Sequence, residues 1–290
     1  MKPASFDYAR PQSLSDALKL LAIHGDNAKI IAGGQSLVPM MNFRISRPEL
    51  LIDINKIPDL DYHECSSDGH YLKIGALARH ETLRNSALIA QYCPLMHKAY
   101  QHVAHVVVRN RGTLCGNLAH ADPASEMPAV MLALDATMVI RSNQGERKVQ
   151  AEDFFNGLYS TDIKKDEILV EVQIPILDES FRFGFAELSP RKGDYASTLV
   201  AVMFKLIKGK IESAALSYAG ISDRPVRAPA AEKALLGQEP SSDLFQKVST
   251  IVVQEIYLKK EDLESHVFQA DLIQTLTPRA LLNAIASHDQ

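Results

Sequence analysis

The segment that most constrains the fold is RNRGTLCGNLAHADPASEMP, residues 109–128. It holds two glycines and two prolines, and its apolar residues follow neither helical nor strand spacing. A loop of this length is uncommon inside a compact domain unless it is functional, and the segment is too apolar to be disordered. We therefore expect a long loop that wraps a ligand, with a second, shorter loop far upstream holding the other side.

The bulk composition favours an ordinary globular protein of two domains. The chain has 290 residues, of which 46% are hydrophobic, so it can bury a full core. Its 31 basic and 35 acidic residues are mixed without runs, which argues against a nucleic-acid or anionic-membrane partner. No stretch approaches the roughly 18 apolar residues of a membrane span, and MKPASFDYARPQSL lacks the apolar core of a secretory signal. We expect a cytoplasmic protein.

The cysteines and histidines predict no metal site. Cys65, Cys93 and Cys115 stand far apart, which argues against a disulfide framework and against an iron–sulfur cluster held by this chain alone. His102 and His105 form an H-x-x-H pair on a predicted helix, but no further ligand follows at a suitable spacing. The sequence has no H-E-x-x-H, G-x-S-x-G or C-x-x-C motif, so hydrolysis has no support and no catalytic residue is nominated.

Hydrophobic periodicity divides the chain into three parts. Residues 1–60 alternate short elements, with a helix in SLSDALKLLAIHG that begins after the Ser13 cap and ends at Gly25, and a strand in AKIIAGG. Residues 61–176 combine strands, a helix over residues 89–110 that is broken at Pro94, the long loop, the helix MPAVMLALDA and the strands TMVIRS and EILVEVQIP. Residues 177–290 begin with antiparallel strands that turn at Gly209 and end with helices, which is typical of an α+β domain.

Two adjacent glycines close the first predicted strand, in KIIAGGQSL, residues 29–37. Gly33 and Gly34 permit a positive φ or a close backbone approach, and the next three residues offer consecutive backbone N–H groups. Such a nest can bind phosphate, although two glycines after a strand are also a common simple turn. The segment is neither G-x-G-x-x-G nor a P-loop, because it lacks a third glycine and a Lys-Ser/Thr pair.

The long segment carries several polar groups within a few residues. They are a hydroxyl, an amide, and a donor and acceptor pair, and two glycines beside them allow a wide range of backbone conformations. The residues are Gly112, Thr113, Gly116, Asn117, His120 and Asp122. A stack of Asx turns in which Ser125 caps the next helix is the alternative interpretation. The residues alone leave both interpretations open.

Taken together, AGGQSL and RNRGTLCGNLAHADPASEMP resemble the two flavin-binding signatures of the FAD-binding medium subunit of molybdenum hydroxylases, the xanthine dehydrogenase and carbon monoxide dehydrogenase family. The likeness extends over the whole chain, through FDYARPQSLSDALKLL, EILVEVQIP and SPRKGDYASTLVAV. It implies an α+β protein with a two-subdomain FAD-binding fold of the vanillyl-alcohol oxidase (PCMH) type. FAD would lie between subdomains 1–60 and 61–176, and residues 177–290 would form a C-terminal α+β domain with an antiparallel sheet and helices.

The resemblance also implies roles for individual residues. The pyrophosphate and ribitol would meet the first loop, at Ile30, Ile31, Ala32, Gly33, Gly34, Gln35, Ser36 and Leu37. The second loop would close the other side and extend to the adenosine end, through Thr113, Cys115, Gly116, Asn117, His120, Asp122 and Glu126. Leu169 would pack near the adenine, and Tyr195 would lie by the isoalloxazine ring. Relatives usually have glycine in place of Cys115, so a left-handed backbone there would cost roughly 1 to 2 kcal/mol.

The implied function is electron transfer within a complex. A large subunit would hydroxylate a substrate at molybdopterin, a small subunit would carry two [2Fe-2S] clusters, and the FAD of this chain would pass the electrons to an external acceptor. The complex would be a heterotrimer, possibly dimerised. Two alternatives stay open: a self-sufficient FAD-dependent oxidase or dehydrogenase acting on its own small substrate, and a non-enzymatic assembly protein whose glycine loops are mere turns. The sequence indicates neither substrate nor acceptor.

Overall fold

The computed structural model describes residues 1–257 and 260–286. The last two residues of the predicted helix TPRALLNAIASH, 287 and 288, lie outside this part of the chain. Within it, three sheets of three or more strands and a small two-stranded ribbon are joined by helices. None of the described helices has the length and apolar character needed to cross a membrane.

The first part of the chain forms a parallel sheet in the order β1–β3–β2, with α1 packed on it. Ser13 caps α1, accepting a hydrogen bond from a backbone N–H at 3.1 Å, and Gly25 ends the helix at φ +51°. Both had been predicted from the sequence. The elements are β1 (Asp7–Ala9), α1 (Leu14–His24), β2 (Ala28–Ile31), α2 (Leu37–Asn42) and β3 (Leu50–Asp53).

The second part is built on an antiparallel sheet in the order β4–β5–β10–β6–β7. The strands are β4 (His63–Cys65), β5 (Tyr71–Gly75), β6 (Thr137–Ser142), β7 (Gly145–Gln150), β8 (Phe155–Gly157), β9 (Ser160–Thr161) and β10 (Ile168–Pro175). Its helices are α3 (His80–Arg84), α4 (Ala87–Tyr92), α5 (Pro94–Ala99), α6 (Val106–Arg109), α7 (Leu114–His120), α8 (Glu126–Ala133) and α9 (Ala151–Phe154). The strand pair β8–β9 forms the separate ribbon.

The third part is an antiparallel sheet in the order β11–β12–β13–β14, with helices covering one face. As expected, β12 and β13 form a hairpin that turns at Gly209, where φ is +78°. The strands are β11 (Phe181–Leu188), β12 (Thr198–Ile207), β13 (Lys210–Ala219) and β14 (Val226–Arg227), and the helices are α10 (Pro229–Leu235), α11 (Ser242–Ile256), α12 (Lys260–Ser265) and α13 (Val267–Ala286). Its apolar core lies between the sheet and α10, α11 and α13.

The prediction of a continuous long loop over residues 109–128 is wrong. Helix α7 occupies its centre and α8 begins at Glu126. Thr113 caps α7, because its hydroxyl accepts the N–H of Gly116 at 3.1 Å, and the helix buries Leu114, Cys115 and Leu118. A helix of seven residues is too short for hydrophobic periodicity to reveal.

The helix predicted across residues 89–110 is also divided further than expected. The predicted break at Pro94 is confirmed, because the backbone leaves the helical region at Cys93 and Pro94 begins α5. The chain then leaves the helix again between α5 and α6. His102 lies in that connection and His105 precedes α6, so the two histidines do not share a helix. Among the described residues, no group of three or more potential ligands could hold a metal ion.

Candidate FAD-binding site

The first glycine loop, residues 32–37, follows the end of β2. Gly34 has φ +70°, a conformation that glycine adopts without strain. Within the described part of the chain, no hydrogen bond uses the backbone N–H groups of residues 33–37 as donors. These five consecutive donors therefore have no acceptor within the described protein and are available to a ligand, as the donors of an anion-binding nest are.

The second glycine loop, residues 111–113 immediately before α7, is held by the segment that joins β5 to α3. The backbone N–H of His80 donates to the carbonyl of Gly112 at 3.0 Å, and that of Leu114 donates to the carbonyl of Ala78 at 3.3 Å. These bonds fix the backbone on both sides of Thr113, which is buried. The second glycine loop is thus tied to the central sheet of the second part.

The two glycine loops are in direct backbone contact. A Cβ atom on Gly33 would lie 2.3 Å from the carbonyl oxygen of Arg111 and 2.8 Å from the Cα atom of Gly112. The two glycines thus serve the two purposes predicted for them: Gly33 permits the close approach, and Gly34 supplies the positive φ. The structure brings the loops together although about eighty residues separate them in the chain.

Two polar residues beside this contact, Arg79 and Asn55, were not predicted from the sequence to belong to the site. Arg79 donates from its guanidinium to the carbonyl oxygen of Arg111 and to Oδ1 of Asn55. The amide of Asn55 in turn donates to the carbonyl oxygen of Ala32 at 2.7 Å. Asn55 follows the buried strand β3 by two residues, and this position is the one sequence signal that could have assigned Asn55 to the site.

A tyrosine cluster, formed by His120, Asp122, Tyr159 and Tyr195, lies at the end of α7. The hydroxyl of Tyr159 donates to Asp122 Oδ2 at 3.4 Å, and the rings of His120 and Tyr159 have centroids 5.0 Å apart. Partial burial and the Asp122 carboxylate raise the pKa of Tyr195 to about 12, so its hydroxyl stays protonated at neutral pH. Burial lowers the pKa of His120 despite the nearby Asp122, which favours a neutral imidazole.

The alternative interpretation of the second segment is partly right. Asp122 Oδ1 accepts the backbone N–H of Ala124 at 3.0 Å, which is an Asx turn. Ser125 stands at the N-cap position of α8, but its side chain does not cap the helix. It pairs instead with Asn117, whose amide lies 2.8 and 3.1 Å from the Ser125 hydroxyl. The Asn117 side chain therefore secures the chain turn that carries the tyrosine cluster.

Two buried glutamates lie behind this turn. Glu126, in the first turn of α8, is 5% exposed, and burial together with the Glu187 carboxyl raises its pKa to about 8. Burial raises the pKa of Glu187 to about 7, and among the described residues neither of its carboxyl oxygens accepts a hydrogen bond. His102 lies beside this carboxyl group, with its Nδ1 atom 3.8 Å from Glu187 Oε1.

Two further residues, Leu169 and Cys115, were predicted from the sequence to belong to the FAD site. Leu169 is buried in β10 opposite Ile140 of β6, so its side chain belongs to the core of the sheet, and its place beside an adenine stays a prediction. Cys115 lies inside α7 and does not have a positive φ, so the cost that a left-handed backbone would carry there does not arise. Its thiol lies 3.8 Å from the carbonyl oxygen of Ile74, and burial raises its pKa well above the usual range, which favours the inert thiol form.

Comparison with known proteins defines the class of this fold and site. Residues 4–177 match the FAD binding domain in molybdopterin dehydrogenase, and residues 184–284 match the CO dehydrogenase flavoprotein C-terminal domain. The chain belongs to the family of FAD-binding medium subunits of molybdenum hydroxylases, and it is the flavoprotein subunit of an oxidoreductase.

Individual relatives match over nearly the whole chain. Caffeine dehydrogenase subunit beta of Pseudomonas sp. (strain CBB1) is 39% identical, covering 98% of this chain and 96% of the relative. The 6-hydroxypseudooxynicotine dehydrogenase complex subunit alpha of Paenarthrobacter nicotinovorans is 41% identical with the same coverage. The structure of carbon monoxide dehydrogenase from Hydrogenophaga pseudoflava, which lacks the Mo-pyranopterin moiety of the molybdenum cofactor, superposes with a TM-score of 0.92, at 32% identity and 99% coverage of both chains.

The geometry of the glycine loops fits this family's cofactor. The five free backbone N–H groups of residues 33–37 can donate to the oxygens of a pyrophosphate, as the donors of a nest do. At the contact with Arg111 there is no space for a side chain on Gly33, so the backbone itself forms the surface.

Proposed function

We propose that this chain is the electron-output subunit of a molybdenum-containing hydroxylase or dehydrogenase complex. A small partner subunit would supply electrons from two [2Fe-2S] clusters, and a large partner subunit would hydroxylate the substrate at molybdopterin. Bound FAD would accept the electrons and transfer them to an external acceptor. Family membership supports this proposal. So do the two relatives that are named as dehydrogenase subunits, since the alignment with this chain covers 96% of the length of each.

The proposed FAD site lies along the contact of the two glycine loops. Residues 30–37 would meet the pyrophosphate and ribitol, and Thr113, Cys115, Gly116 and Asn117 would close the opposite side. Because Cys115 is buried within α7, its contribution would come from the backbone rather than the thiol. The single observation that carries the assignment is the run of five backbone N–H groups, at residues 33–37, that lack an acceptor within the described protein.

The tyrosine cluster and its neighbours would form the remainder of the site. Tyr195 would lie against the isoalloxazine ring, held by Asp122, and more than half of its surface is exposed and free for that contact. His120 and Asp122 would line the adenosine or pyrophosphate end, with Glu126 behind them and Leu169 near the adenine. No residue of this chain is assigned a bond-making role, since its residues bind and orient the cofactor.

The domain division we propose is 1–60 and 61–176 for the two FAD-binding subdomains and 177–290 for the C-terminal domain. The three parallel strands lie in the first range, the five-stranded sheet in the second and the four-stranded sheet in the third. We further propose a heterotrimer, possibly dimerised, in the cytoplasm. The free state of Cys65, Cys93 and Cys115 suits a reducing compartment.

The proposal is tested by anaerobic reduction of the chain in two forms, alone with FAD and within its native complex. Substrate should bleach the flavin absorbance in the complex but not in the isolated chain, because the electrons must pass through the partner clusters. Bleaching of the isolated chain by a small substrate would establish the self-sufficient oxidase or dehydrogenase instead. Absence of flavin from every preparation would establish an assembly protein whose glycine loops are turns.

A further inference from the structure

Arg79 lies between β5 and α3, where it connects two segments that are distant in sequence. Its Nη1 group donates to the backbone carbonyl of Arg111, in the second glycine loop. Its Nη2 group donates to Oδ1 of Asn55 at 2.5 Å, just beyond the end of β3. The planar guanidinium therefore spans from the second part of the chain to the first.

Asn55 continues this connection to the first glycine loop. Its side-chain amide donates to the carbonyl oxygen of Ala32 at 2.7 Å and to Asp53 Oδ1 at 2.6 Å. Asp53 is itself fixed by the hydroxyl of Tyr8. A continuous series of hydrogen bonds thus runs from the carbonyl of Arg111, through Arg79 and Asn55, to the carbonyl of Ala32.

Both ends of this series adjoin the backbone contact between the loops. Ala32 precedes Gly33, and the carbonyl of Arg111 is the group that a Cβ on Gly33 would strike at 2.3 Å. The carbonyl of Arg111 is therefore fixed from two sides, by the guanidinium and by the Gly33 backbone. The van der Waals contact sets how close the loops come, and the hydrogen bonds oppose their separation.

The environment of Arg79 suits a fixed cation. Its partial burial lowers its pKa, as does the nearby Arg111, whereas the carboxylates of Asp61 and Asp53 favour the charged form. An arginine side chain stays protonated in proteins and can donate to two acceptors in a fixed geometry, which a lysine cannot reproduce. The charge and planarity together make this position specific for arginine.

We propose that Arg79 is a positioning residue that holds the two glycine loops at the spacing required for FAD, acting through Asn55 on one side and the Arg111 carbonyl on the other. This inference rests on the proposed location of FAD between those loops. Without Arg79 the loops would have to be ordered when FAD binds, and the cost of that ordering would appear as weaker binding. Arg79 itself need not touch FAD.

The test begins with the full chain from which the cofactor has been removed. This chain is titrated with FAD, and binding is measured by flavin fluorescence. The melting temperature of the cofactor-free chain is measured in parallel. We expect Arg79→Gln and Asn55→Ala each to raise the Kd for FAD by about tenfold. The double variant should be little weaker than either single variant, because both residues act in one series. Arg79→Lys should bind FAD as weakly as Arg79→Gln, and it replaces the glutamine variant should that one fail to fold.

Arg141→Gln, which removes a half-exposed arginine paired with Glu146 on another hairpin, is the matched control and should bind FAD normally.

Gly33→Ala in the same titration distinguishes failure of the proposed role of Arg79 from failure of the proposed FAD site. Loss of FAD in Gly33→Ala together with a Kd for Arg79→Gln within twofold of the native value would overturn the role of Arg79 and leave the site in place. Retention of FAD by Gly33→Ala would overturn the site itself. A lower melting temperature of the Arg79 variants with an unchanged Kd would also overturn the proposal, since it would show a purely structural contribution. Full additivity in the double variant would overturn it as well, since it would show that Arg79 and Asn55 act independently.

Discussion

Gly33 and Arg111 are in backbone contact across the interface of the first two parts of the chain, so that a Cβ on Gly33 would lie 2.3 Å from the Arg111 carbonyl oxygen. Real Cβ atoms do not approach a backbone oxygen so closely, and the neighbour here is main chain rather than a side chain that could rotate away. Glycine at position 33 is therefore a requirement of loop-to-loop packing. The two glycine loops depend on each other before any cofactor binds.

Replacing Gly33 by alanine should separate the loops and abolish or greatly weaken FAD binding. Overpacking should also reduce the free energy of unfolding by about 1–3 kcal/mol. Gly69→Ala is the matched control, because Gly69 also has a restricted backbone, at φ +72°, but has open space around its Cβ direction. It should cost about 1 kcal/mol and retain FAD. Flavin released by denaturation measures retention, and wild-type flavin content in Gly33→Ala would contradict the assignment.

Tyr195 should govern the electronic properties of the flavin more than its affinity. We expect Tyr195→Ala to shift the flavin midpoint potential or its reoxidation rate, while the Kd for FAD changes by no more than about threefold, as for other exposed positions. Tyr195→Phe retains the ring and loses the hydroxyl next to Asp122, so it separates the contribution of the ring from that of the hydroxyl. Unchanged potential and kinetics in both variants would remove Tyr195 from the site.

The buried glutamates should make the protein less stable as the pH rises. Burial raises the pKa of Glu126 to about 8 and that of Glu187 to about 7, both above the unfolded value. The folded chain therefore binds more protons than the unfolded chain between about pH 4.5 and 8, so stability is full below that window and is lost as the pH rises through it. The slope can reach about −1.4 kcal/mol per pH unit for each group.

Denaturant unfolding at several pH values measures this slope. Glu126→Gln and Glu187→Gln should each flatten the dependence, because an amide has no charge to develop. Curves for the variants that run parallel to the native curve would show that these carboxyls titrate normally. His102, Asp122 and Lys192 adjoin these groups or their partners, so the variants are compared at constant salt concentration.

Cys115 should contribute to stability and not to FAD binding. Cys115→Gly should lower the free energy of unfolding by about 2 kcal/mol, of which about 1 comes from glycine in a helix and the rest from the lost buried side chain. Ala119→Gly, at an exposed position of the same helix, should cost only the helix component. FAD affinity should be unchanged in both, and a Cys115→Gly chain with increased stability would refute this interpretation.

Local sequence signals predicted the parts of the fold that depend on neighbouring residues. Ser13 and Gly25 bound α1, Gly209 turns the β12–β13 hairpin, and Gly33 and Gly34 serve the two purposes expected of them. Each effect arises from one or two backbone conformations, and the residue type reveals it directly.

Contacts between distant segments could not be predicted in this way. Arg79 and Asn55 are 24 residues apart and become partners only once the first and second parts of the chain have folded against each other. The short helix α7 was missed because its stability comes from burying Leu114 and Leu118 against the sheet rather than from its own length. Family resemblance named the two segments of the proposed site, whereas the contacts that hold those segments together came from the structure.

Hydrogen exchange of the full chain, measured with and without FAD, shows which backbone groups the cofactor contacts. The backbone N–H groups of residues 33–37 have no acceptor within the described protein, so they should exchange rapidly in the cofactor-free chain. On binding FAD they should become strongly protected, together with residues 111–117, while the peptides of α11 and α13 should change little. Unchanged exchange at residues 33–37 in a chain that has bound FAD would show that the cofactor lies elsewhere.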